Sequence, residues 1–259
     1  MMTPHLLPDV GGDPRRLVQL DAVHNFRDMG GYPTYDGHTT RWGRLFRADG
    51  LYRLTGIDLD RVRELGLHTV IDLRTAAEVD ERGTFPHLEH PVHFHHVPII
   101  DETWNPEDVV DTDDAAEFLE TAYVAMLEEG PDRFAQAIRT LCVPGAFPAV
   151  FHCAAGKDRT GMLAMLLLGA VGVEDDYIIA DYALTEAGMQ RFRDWAMREF
   201  PEMAARWAET PAVFSAAVPE AMMRMIGHVR RDYSSIANFV RELGVSDQEI
   251  TQLRAELLS

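Results

Sequence analysis

Residues 148–161 read PAVFHCAAGKDRTG, and no other stretch of this chain restricts its fold as tightly. A short apolar run ends at His152 and Cys153, three small residues follow, and a second apolar run, TGMLAMLLLGAVGV, fills 160–173 and is closed by glycine. The pattern predicts a buried strand over 148–152 and a buried helix over 160–173. Cys153 then stands at the carboxyl end of a strand and at the mouth of a helix, the place where α/β sheets bind anions. Ala154, Ala155 and Gly156 are small enough for successive backbone N–H groups to curl inward as an anion nest, and the helix dipole adds positive potential. Arg159 offers a planar fork for two phosphate oxygens. A positive field favours the thiolate, the nucleophilic form of a cysteine, and such a sulfur is suited to in-line attack on phosphorus.

Lys157 is the only lysine among 24 basic residues, and it lies in this loop. A Gly-Lys pair suggests a nucleotide-binding loop, but that motif needs GxxxxGK[ST]; here Phe151 takes the first glycine position and Asp158 the hydroxyl position.

Around this junction, strands alternate with helices. Strands are predicted in GRLFRA (43–48), HTVIDLR (68–74) and VHFHHVPI (92–99), and helices over 58–65, from Thr75, over 113–129 and over 131–142. Asp58 is expected to serve the first turn of its helix and Gly66 to end it, while Pro131 suits a first helical position. This order implies an α/β fold with a central, largely parallel sheet flanked by helices. The chain reads as a single domain, 1–259, with an irregular leader over 1–20 rich in proline and glycine. NFRDMGGYPTYDGH (25–38) reads as turns. From Asp175 onward the pattern is helical, and Met189, Phe192, Trp195, Met197, Phe200 and Met203 make 186–235 a candidate lid as well as candidate core.

The formal charge of −18 opposes long-range attraction to nucleic acid or anionic membrane, so an anionic substrate must meet a local positive site. EDVVDTDDAAEFLE (107–120) reads as a solvated helix face with its preceding loop. No apolar run approaches the roughly 20 residues of a membrane span, which argues against integral membrane association and, with two cysteines, for a cytoplasmic location. His87, His90, His93, His95 and His96 invite a metal reading, but His93 and His95 share one strand face while His96 lies on the other, so no metal and no cofactor are expected. Cys142 reads as a small buried apolar residue, with a reversible disulfide to Cys153 as the alternative.

The segment His152, Cys153, Gly156, Arg159 and Thr160 resembles the HCxxGxxR[ST] signature of the cysteine-dependent protein tyrosine phosphatase superfamily. NFRDMGGY (25–32), GRLFRADGL (43–51), VIDLRTAAE (70–78) and ADYALT (180–185) add similarity to its atypical bacterial group, which has tyrosine, dual or lipid-directed specificity. The resemblance implies a phosphocysteine on Cys153, transition-state binding by Arg159, and a phosphate cup of Ala154, Ala155, Gly156, Lys157, Asp158, Arg159 and Thr160. It also implies that the Thr160 hydroxyl serves the Cys153 sulfur, a role sequence does not separate from a helix cap. His152 is expected to bond backbone near the loop, and Asn25, Arg27 and Asp28 to pack beneath it. For the general acid the resemblance points to Asp158, with Asp72 and then Asp101 as alternatives. The expected substrate is a phosphotyrosine protein, with phosphoinositides as the alternative and Lys157 reaching a second phosphate. A phosphate-recognising module without turnover and a sulfurtransferase are the rivals.

Overall fold

The computed structural model describes residues 6–104, 114–202, 212–214 and 216–259. Its five-stranded sheet comprises β1 (Arg27–Asp28), β2 (Leu45–Ala48), β3 (Thr69–Asp72), β4 (His93–His96) and β5 (Ala149–His152), in the order β1-β2-β5-β3-β4. All neighbours run parallel except β1, which pairs antiparallel with β2. The strands end in register: Ala48 and Asp72 both lie opposite His152, so the C-terminal edges of β2, β5 and β3 open onto one place.

Strand residues alternate between two apolar clusters, as a period of two requires. Leu45, Ile71, Ala149 and Phe151 face the large cluster, and Phe46, Ala48, Val70 and Val150 face the smaller one. With both faces covered, β3 and β5 are buried at every position, which is why their sequences read as continuous apolar runs. The smaller cluster is closed by Val62 of α1 (Gly56–Glu64). The larger is filled by α3 (Ala115–Glu129), α4 (Pro131–Leu141) and α5 (Asp158–Val171), with α6 (Asp175–Glu199), α7 (Pro219–Tyr233), α8 (Ile236–Glu242) and α9 (Asp247–Leu257). α5 is apolar all round because it is buried all round. α2 (Ala76–Arg82) follows β3 and is opened by a capping box in which Thr75 and Glu78 exchange side-chain and backbone hydrogen bonds.

The predicted elements are present, with informative differences. The NFRD turn segment supplies β1, because Arg27 and Asp28 pair with β2. α1 begins at Gly56, and Asp58 binds the N–H groups of Asp21 and Ala22 at 2.7 and 3.0 Å instead of capping its own helix. α5 begins at Asp158, so Asp158 and Arg159 belong to the helix and not to the loop. Of the candidate lid, α7 buries Ala221, Met222, Met225, Ile226 and Val229 and packs on α3 as core. Met203 and residues 107–113 of the acidic stretch lie outside the described residues; Asp114 caps α3 through the N–H groups of Ala116 and Glu117. No helix among the described residues is long and apolar enough to cross a membrane.

Candidate active site

Between β5 and α5 the chain makes one tight turn over the sheet edge, and its carbonyls are all held from below. Ala154 O accepts from Gly50 N at 3.0 Å, and Ala155 O and Gly156 O accept from Asn25 Nδ2 at 3.0 and 3.2 Å. Arg47 donates to Gly156 O at 2.8 Å. Among the described residues the N–H groups of Ala154, Ala155, Gly156, Lys157, Asp158 and Arg159 donate to nothing, which leaves a ring of donors at a helix N-terminus. Gly156 makes the turn possible: its φ is +66°, and a Cβ there would lie 2.5 Å from Ala48 O. Gly156→Ala is therefore expected to displace the loop from β2 and to cost about 1–3 kcal/mol, measured as a lower urea midpoint.

Cys153 opens this turn and is 2% exposed. Arg159, the second residue of α5, lies beside it, and its fork is fixed by Glu78 through contacts of 2.5 and 3.1 Å. Burial would weaken the Arg159 cation, but the neighbouring Cys153 and the Glu78 carboxylate outweigh it and push its ionisation above the ordinary arginine value. Burial would likewise raise the Glu78 carboxyl, and Arg159 brings it below the ordinary carboxylate value. Glu78 was not singled out from sequence as a site residue, although its capping-box spacing from Thr75 is legible there. Thr160 Oγ1 is buried without a hydrogen-bond partner among the described residues, and His152 sets Nδ1 3.2 Å from Cys153 O. Burial pushes the His152 imidazole down, toward the neutral form.

The three aspartates differ sharply. Asp158 Oδ1 accepts from Tyr123 at 2.7 Å, and the carboxylate is 22% exposed beside the cup. Asp72 is fully buried and doubly bound by Arg74 at 2.6 and 2.9 Å. Burial alone would raise the Asp72 carboxyl, but with His152 driven neutral it is Arg74 that holds it below the ordinary range. An ionised, guanidinium-locked carboxylate is a poor proton donor, which argues against Asp72 as the general acid. Asp101 is exposed and paired with Arg133 at 2.7 Å. Lys157 also departs from expectation. Its ammonium, 1% exposed, donates to Val213 O and Phe214 O at 2.8 and 3.1 Å, and so ties the loop to residues 213–214 instead of reaching outward.

Beneath the cup lies a buried charge layer. Asp181 of α6 accepts from Arg27 at 3.0 Å, Arg47 at 2.6 Å and Tyr32 at 2.8 Å; Arg27 in turn donates to Asn25 Oδ1. Asn25 and Arg27 thus support the loop as predicted, whereas Asp28 binds Gly30 N and Gly43 N in the adjoining turn. Arg47 and Asp181 were not singled out. Their signal is a charge inside an otherwise apolar run, LFRA and IIADYA.

A cleft of about 640 Å³ adjoins Ala154 and Ala155 and is walled by Tyr52, Met189, Phe192, Trp195 and Phe200, with Arg53 and Arg82 in its lining. Met189, Phe192, Trp195 and Phe200 of the candidate lid therefore face this adjoining cleft. The histidines do not converge: His87 stacks on Phe94, His90 meets Phe85 edge-on, and His96 Nε2 lies 2.8 Å from Arg74 O. Among the described residues no three His, Cys, Asp or Glu side chains group as a metal site. Burial pushes the Cys142 thiol up to about 12, and the thiol bonds Ile138 O at 3.3 Å.

Comparison with known proteins agrees with this geometry. The chain is 29% identical over 258 residues to a protein of Cupriavidus necator named as a tyrosine-protein phosphatase, covering 95% of this chain and 89% of the relative. It is 28% identical over 283 residues to the triple specificity protein phosphatase PtpB of Mycobacterium tuberculosis, covering 93% and 98%. It is also 28% identical over 229 residues to a tyrosine-protein phosphatase of Nostoc commune, covering 82% and 73%. A model of the tyrosine phosphatase family matches residues 18–259, which include all five strands, the cup and the helices behind it; the chain belongs to that family and is a phosphatase of the protein-tyrosine-phosphatase type.

Proposed function

We propose that this phosphatase hydrolyses phosphotyrosine proteins, with dual specificity, by a metal-independent route through a phosphocysteine. The observation that carries the reading is the junction itself, where free N–H donors, a buried arginine fork and a cysteine surround one cup at a helix N-terminus. The Cys153 thiolate attacks phosphorus in line, a sulfur–phosphorus bond forms, and the bond from phosphorus to the leaving oxygen breaks. Arg159 and the loop amides hold the equatorial oxygens, stabilising charge where the transition state needs it. Asp158 gives its proton to the leaving oxygen, then takes one from the water that cleaves the phosphocysteine and returns the thiolate. Thr160, whose hydroxyl lacks another partner among the described residues, is available to stabilise the departing sulfur.

The apolar, aromatic-walled cleft beside the cup suits a phosphorylated aromatic ring. Arg53 and Arg82 in the same lining favour a second reading, a phosphoinositide carrying further phosphates. The triple specificity named for the mycobacterial relative supports breadth. Phosphate release from phosphotyrosine, phosphoserine and phosphothreonine peptides and a phosphoinositide panel, with EDTA present, tests the proposal. The highest kcat/KM is expected on phosphotyrosine; a lipid preference would favour the second reading, and binding without release on every substrate would make the protein a recognition module.

Asp158→Asn is expected to lower kcat/KM on phenyl phosphate by roughly 10²- to 10⁴-fold and on 2,4-dinitrophenyl phosphate far less, because only the first leaving group needs a proton. Equal losses on both would assign the acid elsewhere.

A further inference from the structure

Behind Asp158 runs a hydrogen-bond chain that the reaction as written does not use. Tyr123 of α3 donates to Asp158 Oδ1 at 2.7 Å, and the Tyr123 and Tyr182 hydroxyls are 2.6 Å apart. A phenol has one proton, so with the Tyr123 proton given to Asp158, Tyr182 of α6 must donate to Tyr123. We propose that Tyr182 and Tyr123 are positioning residues for the acid step: the chain grips Asp158 by Oδ1 and leaves Oδ2 as the oxygen that carries the proton to the leaving group. The inference rests on Asp158 being the general acid.

Three features support it. First, both rings are fixed. Tyr123 and Tyr182 are 0% and 1% exposed and meet edge-on, with centroids 6.3 Å apart and planes at 81°. Tyr182 lies so close under α5 that a Cβ on Gly161 would come within 3.0 Å of it. Second, both hydroxyls stay protonated. Burial, and then the Asp158 charge, raise them above the ordinary tyrosine value, so they remain donors wherever the enzyme works. Third, the two carboxylate oxygens are unequal. Oδ1 takes the Tyr123 proton and lies 3.5 Å from the Lys157 ammonium, whereas Oδ2 has no protein partner among the described residues.

That asymmetry fits both halves of the cycle. When Asp158 is protonated, the proton belongs on Oδ2, because Oδ1 already accepts. In the first step the Oδ2–H bond breaks, its electron pair stays on Oδ2, and the proton joins the leaving oxygen. In the second step Oδ2 takes a proton from the attacking water. Oδ1 keeps the same partner throughout, so the acid need not reorient between steps, and orientation of this kind is worth large factors in rate.

The test compares kcat/KM of wild type, Tyr123→Phe, Tyr182→Phe, Asp158→Asn and the Tyr123→Phe/Asp158→Asn double variant on phenyl phosphate and 2,4-dinitrophenyl phosphate. Tyr123→Phe keeps the packed ring and removes one oxygen. It is expected to slow phenyl phosphate about tenfold and the dinitrophenyl ester less than about twofold, with Tyr182→Phe milder but selective in the same direction. In the Asp158→Asn background, Tyr123→Phe is expected to cost nothing further. Equal losses on both esters, or a tenfold loss persisting in the double variant, would overturn the positioning role. If Asp158→Asn itself lacks leaving-group selectivity, the underlying acid assignment fails; selective Asp158→Asn with unselective Tyr123→Phe removes the chain's role alone.

Discussion

Cys153→Ser is expected to bring phosphate release down by at least roughly 10⁴-fold while leaving substrate binding intact. The two halves of that result have separate origins. In the proposed mechanism binding is the work of the N–H ring and the Arg159 fork, and none of their hydrogen bonds passes through the sulfur. Turnover needs a nucleophile, and a serine hydroxyl at this position would need a base to ionise it. His152 does not serve, because its Nδ1 faces the Cys153 carbonyl and its Nε2 points toward Asp72, 3.7 Å away. Isothermal titration with a phosphotyrosine peptide should give a Kd within a few-fold of the wild-type value, read under conditions where wild-type turnover is blocked. Release of phosphate by purified Cys153→Ser protein above the buffer rate would end the phosphocysteine mechanism.

The sequence carried the frame of this site better than its supports. β3, β5 and α5 were legible because each is buried on every side, and a segment buried on every side has one composition. β1 was not, since two residues beside a glycine pair look like a turn until β2 pairs with them. The candidate site's first layer is a matter of local spacing: Cys153, Gly156 and Arg159 lie within seven residues. Its second layer is assembled from distant parts of the chain. Glu78 reaches Arg159 across 81 positions, Arg47 reaches Asp181 across 134, and Tyr123 reaches Asp158 across 35. No period or motif links such pairs. The surroundings of Lys157 and Asp72 were hidden for a related reason: a charge's function depends on its partner, and the carbonyls of 213–214 and the Arg74 fork are not readable from the residue that meets them.

Asp181→Asn is expected to be the most destabilising of these substitutions, at about 3–5 kcal/mol, because it leaves Arg27 and Arg47 as two buried cations without a counter-charge. All three side chains are 3% exposed or less, so water cannot replace the lost carboxylate. For a chain of this size such a loss corresponds to a fall in Tm of about 10 °C. Because Arg47 also holds Gly156 O, kcat/KM should fall on phenyl and dinitrophenyl phosphate alike, unlike the selective loss expected for Asp158→Asn. The pH dependence separates charge from packing. Burial would raise the Asp181 carboxyl, but Arg27 and Arg47 outweigh it and hold the group far below the ordinary value of 3.8. A carboxyl depressed by folding contributes stability that is present above its unfolded value and is lost as pH falls toward the folded one. The stability gap between wild type and Asp181→Asn, read as urea midpoints, should therefore be constant from pH 7 to about pH 5 and narrow below about pH 4. A gap that stayed the same down to pH 3 would mean that shape, and not the ion pairs, ties α6 to the underside of the cup.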